Sequence, residues 1–201
     1  MRKARIAVLV SGGGTNLQAI LDAQARGEIP HGEVTLVISD RSGAYALERA
    51  KAAGVASLEI NKKACGGQAP FEEKLIAALE ENRTDVIVLA GFLSILTENF
   101  TARYPRRILN VHPSLIPSFC GAGFYGLKVH EAALERGVKV TGATVHFVNE
   151  IPDGGEIIAQ KAVDILPGDT PEILQRRVME QAEWIILPQS VEKISEEIVN
   201  Q

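Results

Sequence analysis

A doubly wound α/β fold, with one mainly parallel sheet finished at an edge by an antiparallel pair, is predicted by three features of the sequence. Short apolar runs rich in branched residues alternate with segments whose apolar positions recur at helical spacing. The run 85–90 is apolar nearly throughout, as a strand covered by helices on both faces must be. Two later segments, 138–148 and 156–165, flank the turn Asp153-Gly154-Gly155 and read as hairpin partners, not as another strand–helix unit.

Residues 5–10 read as the first strand. Ser11-Gly12-Gly13-Gly14-Thr15-Asn16 follows, then a helix with Leu17, Ile20 and Leu21 on one face. Strand, glycine loop and helix start together form a setting for a phosphate: N–H groups and the helix dipole favour an anion, and glycine allows close approach. The spacing fits neither the ATP nor the dinucleotide motif. A plain turn with Thr15 as N-cap is the other reading. Residues 33–38 form the second strand, 44–53 a helix closed by Gly54, and 56–60 the third strand. Residues 61–69 read as a loop, with Pro70 as the first residue of a helix to 82. After the strand at 85–90, residues 91–96 turn off its carboxyl end and a helix starts near Glu98. Residues 107–111 make the fifth strand, which Pro113 stops. A loop dense in glycine and aromatics, 118–126, precedes a helix over 127–136 capped by Gly137. Thr170-Pro171-Glu172 opens the long last helix, which Pro188 is expected to kink or restart.

With 201 residues the chain suits one domain, 1–201. Its 46% hydrophobic and 23% charged residues fit a soluble globular protein. A net charge of −4 with no basic stripe argues against a nucleic-acid partner. No apolar run reaches membrane-spanning length and no leader precedes the first strand, so a cytoplasmic location without membrane contact is expected. Cys65 and Cys120 are expected to stay unpaired in a reducing compartment. The four histidines lack the spacing of a metal site, so no metal is expected.

Asn110 and His112 are two apart, so both leave one face of the fifth strand at its carboxyl end, where such folds bind ligands. They either tie down the turn or do chemistry. In acyl-type transfer to an amine, the carbonyl oxygen becomes negative and needs donors placed in advance. The Asn110 carboxamide and a His112 imidazolium suit that need, and a nearby carboxylate favours the charged ring. Asp153 can supply the carboxylate and help take the proton from the amine. No Ser or Cys sits in a nucleophile elbow, which favours direct transfer over a covalent intermediate. A purely structural Asn/His/Asp cluster is the alternative.

Residues 11–20 (SGGGTNLQAI), 89–93 (LAGFL), 110–117 (NVHPSLIP), 142–148 (GATVHFV) and 153–155 (DGG) together resemble the folate-dependent phosphoribosylglycinamide formyltransferases of purine synthesis. The resemblance covers essentially the whole chain. It implies a Rossmann-like formyltransferase fold and formyl transfer from 10-formyltetrahydrofolate, as co-substrate, to glycinamide ribonucleotide, with both partners small molecules. By that resemblance Gly14, Thr15 and Asn16 hold the substrate phosphate, Asn110 contacts the formyl group, and His112 donates the proton. Asp153 would sustain the charge of His112, and Glu183 would contact the substrate near its amine. The folate pocket would comprise Leu93, Ser94, Ile95, Leu96, Asn110, Asn149, Glu150, Ile151 and Pro152, with Gln68 toward the folate tail. Gln68 and Ser94 stand where many members carry arginine, Trp184 replaces a histidine, and the loop after Pro117 is longer than in better-known bacterial members. That loop is expected to act either as a lid or as a static wall. A formyltetrahydrofolate hydrolase would use the same trio with water. A methionyl-tRNA formyltransferase would need a further domain, and a non-catalytic nucleotide-binding module would leave the trio unused. Monomer and homodimer both remain open.

Overall fold

The computed structural model describes residues 2–201. Seven strands form one sheet: β1 (Ala4–Val10), β2 (Gly32–Ser39), β3 (Ala56–Glu59), β4 (Val86–Leu89), β5 (Ile108–His112), β6 (Val140–Phe147) and β7 (Ile157–Asp164). Their order is β3-β2-β1-β4-β5-β6-β7. The pairings from β3 across to β5 are parallel, and β5–β6 and β6–β7 are antiparallel, as the sequence predicts.

The two-residue period of the strands divides the interior into two cores. Ile6, Val8 and Val10 of β1 point into one, with Leu17 and Ile20 of α1 (Thr15–Ala25) and Leu187 and Val191 of α8 (Trp184–Val199). Ala7 and Leu9 point into the other, with Phe71, Leu75 and Leu79 of α4 (Gln68–Glu81). The remaining helices are α2 (Tyr45–Ala52), α3 (Lys62–Cys65), α5 (Glu98–Thr101), α6 (Leu127–Arg136) and α7 (Pro171–Val178).

From β1 the chain runs outward to β2 and β3, then crosses to β4 on the other side of β1. The crevice opens between the carboxyl ends of β1 and β4, where winding reverses. Ser11 staples it: its N–H donates to the Gly91 carbonyl at 3.1 Å, and its hydroxyl accepts the Leu93 N–H at 2.8 Å.

Two local expectations need correction. The segment 61–69 is not all loop: Asn61 Oδ1 accepts the Ala64 N–H at 3.1 Å and caps the single turn α3. Gly67 then lets α4 start at Gln68, so Pro70 is its third residue, still in the first turn where a missing N–H leaves no bond unmade. Pro188 neither ends nor restarts a helix, because α8 runs through it to Val199. The irregular turn lies upstream, where Met179–Glu183 winds as a π-helix between α7 and α8.

Candidate functional site

The glycine loop enters α1 with no side chain capping it. The N-cap is Gly14, not Thr15, and Gly14 takes a left-handed φ of 73°. A Cβ there would stand 2.7 Å from Ala46 Cβ, so the same glycine also lets α2 pack against the loop. The carbonyls of Gly12 and Gly13 are turned toward α2, accepting the Ala46 N–H at 3.1 Å and Arg49 Nε at 2.8 Å. The first-turn N–H groups of α1 have no acceptor within the helix. An uncapped, positively polarised helix start is what an anion requires. Thr15 is exposed, but the Asn16 side chain is buried and turned inward: its Nδ2 donates to Glu183 Oε2 at 2.7 Å. Asn16 therefore offers an anion its backbone.

Across the crevice, β5 delivers Asn110 and His112 at its carboxyl end. The turn after His112 is pinned to β6 through Thr144, whose hydroxyl donates to the Ser114 carbonyl at 2.7 Å and accepts the Ile116 N–H at 3.1 Å. His112 is buried between two acceptors. Its Nε2 lies 2.9 Å from the Phe119 carbonyl and its Nδ1 lies 3.5 Å from Asp153 Oδ2. A carbonyl and a carboxylate only accept, so the ring with hydrogens on both nitrogens suits both neighbours.

Asp153 is placed by the turn between β6 and β7. It has a positive φ of 55°, and the glycines after it permit close approach. A Cβ on Gly155 would lie 1.7 Å from the Phe147 carbonyl oxygen, and one on Gly154 would lie 2.6 Å from Ile151 Cγ2. The two glycines are thus a steric requirement of this turn. Burial opposes ionisation of Asp153, but the Gly121 N–H at 2.8 Å and the neighbouring His112 imidazole hold its carboxyl below the usual range.

Glu183 closes the cleft from the last helices. Burial pushes its carboxyl up to about 7, with the Asn16 hydrogen bond pulling the other way. Asn16, Asn110, His112, Asp153 and Glu183 line one cleft of about 240 Å³, together with Leu93 and residues from the loop before α6.

The folate-side residues divide. Leu93 (51% exposed) and Ile95 (73% exposed) offer apolar surface at the rim, whereas Leu96 is buried in the second core beside Phe71. Ser94 donates to Asp40 Oδ2 at 2.6 Å. Gln68 Nε2 donates to Glu72 Oε1 at 2.7 Å and the Ile95 carbonyl at 2.9 Å, while Glu72 also accepts from the Thr97 N–H and hydroxyl. Both residues therefore hold the 94–97 turn in shape. On the opposite rim, Asn149 Oδ1 accepts the Ile151 N–H at 3.0 Å, and Glu150, Ile151 and Pro152 are exposed.

Sequence reasoning assigned nothing to His130 and His146, both buried against this cluster. His130 lines the cleft with neither ring nitrogen partnered by protein. Burial, and after it the neighbouring His112, pushes its pKa down to about 4, so the ring is neutral. The helical stripe Val129, His130, Ala133 was the available signal, and it reads equally as core. A larger cavity of about 340 Å³ lies alongside, bounded by Thr15, Gln18, Arg49, Glu180 and Trp184; the Asn/His/Asp trio is not part of it. One group of three possible metal ligands occurs among the described residues: His31 beside Glu192 and Glu196 of α8, near the amino end of β2. There His31 Nδ1 and Glu192 Oε1 already meet at 2.5 Å, far along the strand from the cleft.

Residues 4–191 match the family model described as formyl transferase. A phosphoribosylglycinamide formyltransferase of Haemophilus influenzae is 42% identical over 184 residues, covering 92% of this chain and 84% of that protein. The trifunctional purine biosynthetic protein adenosine-3 of Bos taurus is 42% identical over 194 residues; 96% of this chain aligns, but it spans only 18% of that longer protein. Among solved structures, glycinamide ribonucleotide transformylase 1 from Symbiobacterium toebii superposes with a TM-score of 0.90 at 45% identity, covering 97% of this chain and 89% of that one. A formyltetrahydrofolate deformylase from Pseudomonas syringae shares the fold at 24% identity and TM-score 0.86, over 98% of this chain and 62% of its own.

Proposed function

The chain belongs to the formyl transferase family, and we propose that it moves the formyl group of 10-formyltetrahydrofolate onto the amine of glycinamide ribonucleotide, a step of purine biosynthesis. The observation that carries this reading is the meeting of the uncapped start of α1 with Asn110, His112 and Asp153 around one crevice. A phosphorylated amine anchored by Gly14, Thr15 and the backbone of Asn16 would extend its amine toward His112.

The amine nitrogen attacks the formyl carbon, and the carbonyl oxygen gains negative charge. Asn110 serves that oxygen as a donor, and His112 joins it once its Nε2–H is released from the Phe119 carbonyl. Asp153 keeps the ring charged and helps remove the proton that the amine loses on bonding. The carbon–nitrogen bond to the folate then breaks, and its nitrogen leaves carrying a proton in place of the one given up. Glu183, buried and hydrogen-bonded to Asn16, closes the substrate side. The exposed Leu93, Ile95 and Ile151 supply apolar surface for a flat ring at the rim. Nothing in these steps calls on a metal, and both ligands are small molecules; a cytoplasmic setting accompanies the reading.

The test mixes the protein with 10-formyltetrahydrofolate and follows tetrahydrofolate release with and without glycinamide ribonucleotide. Release that depends on the amine supports transfer. Release without it means hydrolysis, and no release reduces the chain to a binder.

A further inference from the structure

Asn110 and His146 are direct partners across the β5–β6 ladder. His146 is 1% exposed, yet each ring nitrogen has a polar neighbour. Its Nδ1 lies 2.8 Å from the Phe147 carbonyl oxygen. A carbonyl only accepts, so Nδ1 carries a hydrogen. In the neutral ring this leaves Nε2 as a lone pair, and Asn110 Nδ2 is 3.1 Å from it. Asp153 Oδ1 stands farther from the same nitrogen, at 3.5 Å, so the Asn110 amide is its nearer partner.

A carboxamide has a donor end and an acceptor end of nearly equal size, and only its partners decide which way it faces. We infer that His146 is a positioning residue: its neutral ring, fixed as the Nδ1–H tautomer by the Phe147 carbonyl, holds Asn110 in a single orientation toward the cleft. Reversing the amide would exchange donor and acceptor at the place where the formyl oxygen gains charge. His146 thus acts through Asn110 without touching substrate, and its contribution falls on the chemical step.

The inference rests on the transferase reading, and the tests separate the two. In His146→Phe the ring remains but the acceptor is gone. Its kcat is expected to drop roughly tenfold or more, with KM for both substrates little changed, since a misplaced oxyanion donor costs up to about 10³-fold. His146→Gln, which can place an amide oxygen near the former Nε2, should recover part of the loss. In an Asn110→Ala background, His146→Phe should add less than about threefold, because the two act as a unit. Losses that multiply, or a raised KM with kcat unchanged, overturn the assignment and leave His146 as core packing. Should His146→Phe not fold, His146→Leu, which also lacks the acceptor, and its cycle with Asn110→Ala carry the same comparison. Independently of turnover, long-range nitrogen NMR of the ring should show hydrogen on Nδ1 alone at neutral pH; hydrogen on Nε2 overturns the proposal. If the wild-type chain transfers no formyl group, the functional reading fails, while the NMR result still decides the hydrogen bond.

Discussion

Oδ2 of Asp153 faces Nδ1 of His112 at 3.5 Å and accepts the N–H of Gly121 at 2.8 Å, while the carbonyl of Phe119 takes Nε2 of the same ring at 2.9 Å. Residues 119–121 therefore clasp both members of the pair through backbone alone. Asp153→Asn preserves the shape and removes the charge. Formyl transfer is expected to fall roughly 10²-fold or more, and as far in His112→Ala. Near-normal turnover in either variant would remove these residues from the chemistry.

The same carboxylate has a consequence for stability in acid. Burial raises its pKa, but the Gly121 N–H and the His112 imidazole beside it outweigh this, so the native value is depressed. A depressed carboxyl contributes stability that is present above the unfolded pKa and lost as pH falls through the native one. Urea melts taken downward from about pH 5 should show a shallower acid loss for Asp153→Asn than for the parent. Parallel curves would mean that the carboxylate is not differentially stabilised by folding.

Glu183 predicts the opposite sign. Its native pKa of about 7 exceeds the ordinary 4.5, so the folded state binds the extra proton between those values. Stability contributed by that proton is full below the unfolded value and lost as pH rises through the native one. The shift corresponds to a cost on the order of 3 kcal/mol at alkaline pH. Glu183→Gln keeps an oxygen for Asn16 and never ionises. Its melting temperature should match the parent near pH 5 and exceed it near pH 8.5, by several degrees for a change of 1–2 kcal/mol or more. A constant difference across that range would contradict the buried, proton-binding carboxyl.

The glycine loop calls for two variants because its glycines serve different ends. Gly14→Ala forces a side chain onto Ala46 at a positive φ, and should destabilise the fold by about 1–3 kcal/mol. At Gly13 an added Cβ meets nothing within 4 Å, and its φ is not positive. Gly13→Val should thus melt near the parent temperature yet bind glycinamide ribonucleotide much more weakly, with folate affinity nearly unchanged. Equal weakening of both ligands would argue against a phosphate site here.

Gln68 donates both to Glu72 and to the Ile95 carbonyl, so Gln68→Ala should loosen the 94–97 turn. Folate affinity is expected to fall severalfold with the nucleotide affinity retained, as isothermal titration would show. Gln68→Arg should tighten folate at low ionic strength if its guanidinium reaches the tail. An unchanged dissociation constant would mean that buried Glu72 captures the new cation instead.

Asn110 and His112 were legible as candidates because they sit at a two-residue spacing at a strand end, and Asp153 because it opens a Gly-Gly turn between hairpin strands. The mainly parallel sheet followed from alternation of strand and helix, and its antiparallel edge from the hairpin. His146 was not legible as a partner of Asn110, since their pairing depends on the β5–β6 register, and one residue of slip would have faced it the other way. His130 was hidden because a buried helical stripe does not distinguish a core residue from a cleft wall. The turn at Met179–Glu183 carries no proline or glycine, so local sequence pointed to Pro188 while the widening occurred upstream. The inward turn of Asn16 depends on a residue 167 positions away.

That last bond also sets an order of assembly. Asn16 leaves the ribosome 167 residues before Glu183, so the floor of the cleft cannot exist on a nascent chain that stops short of α8. Until then the amide and the first core face of β1 lack the helix that packs over them. The cleft is therefore completed only when α8 docks.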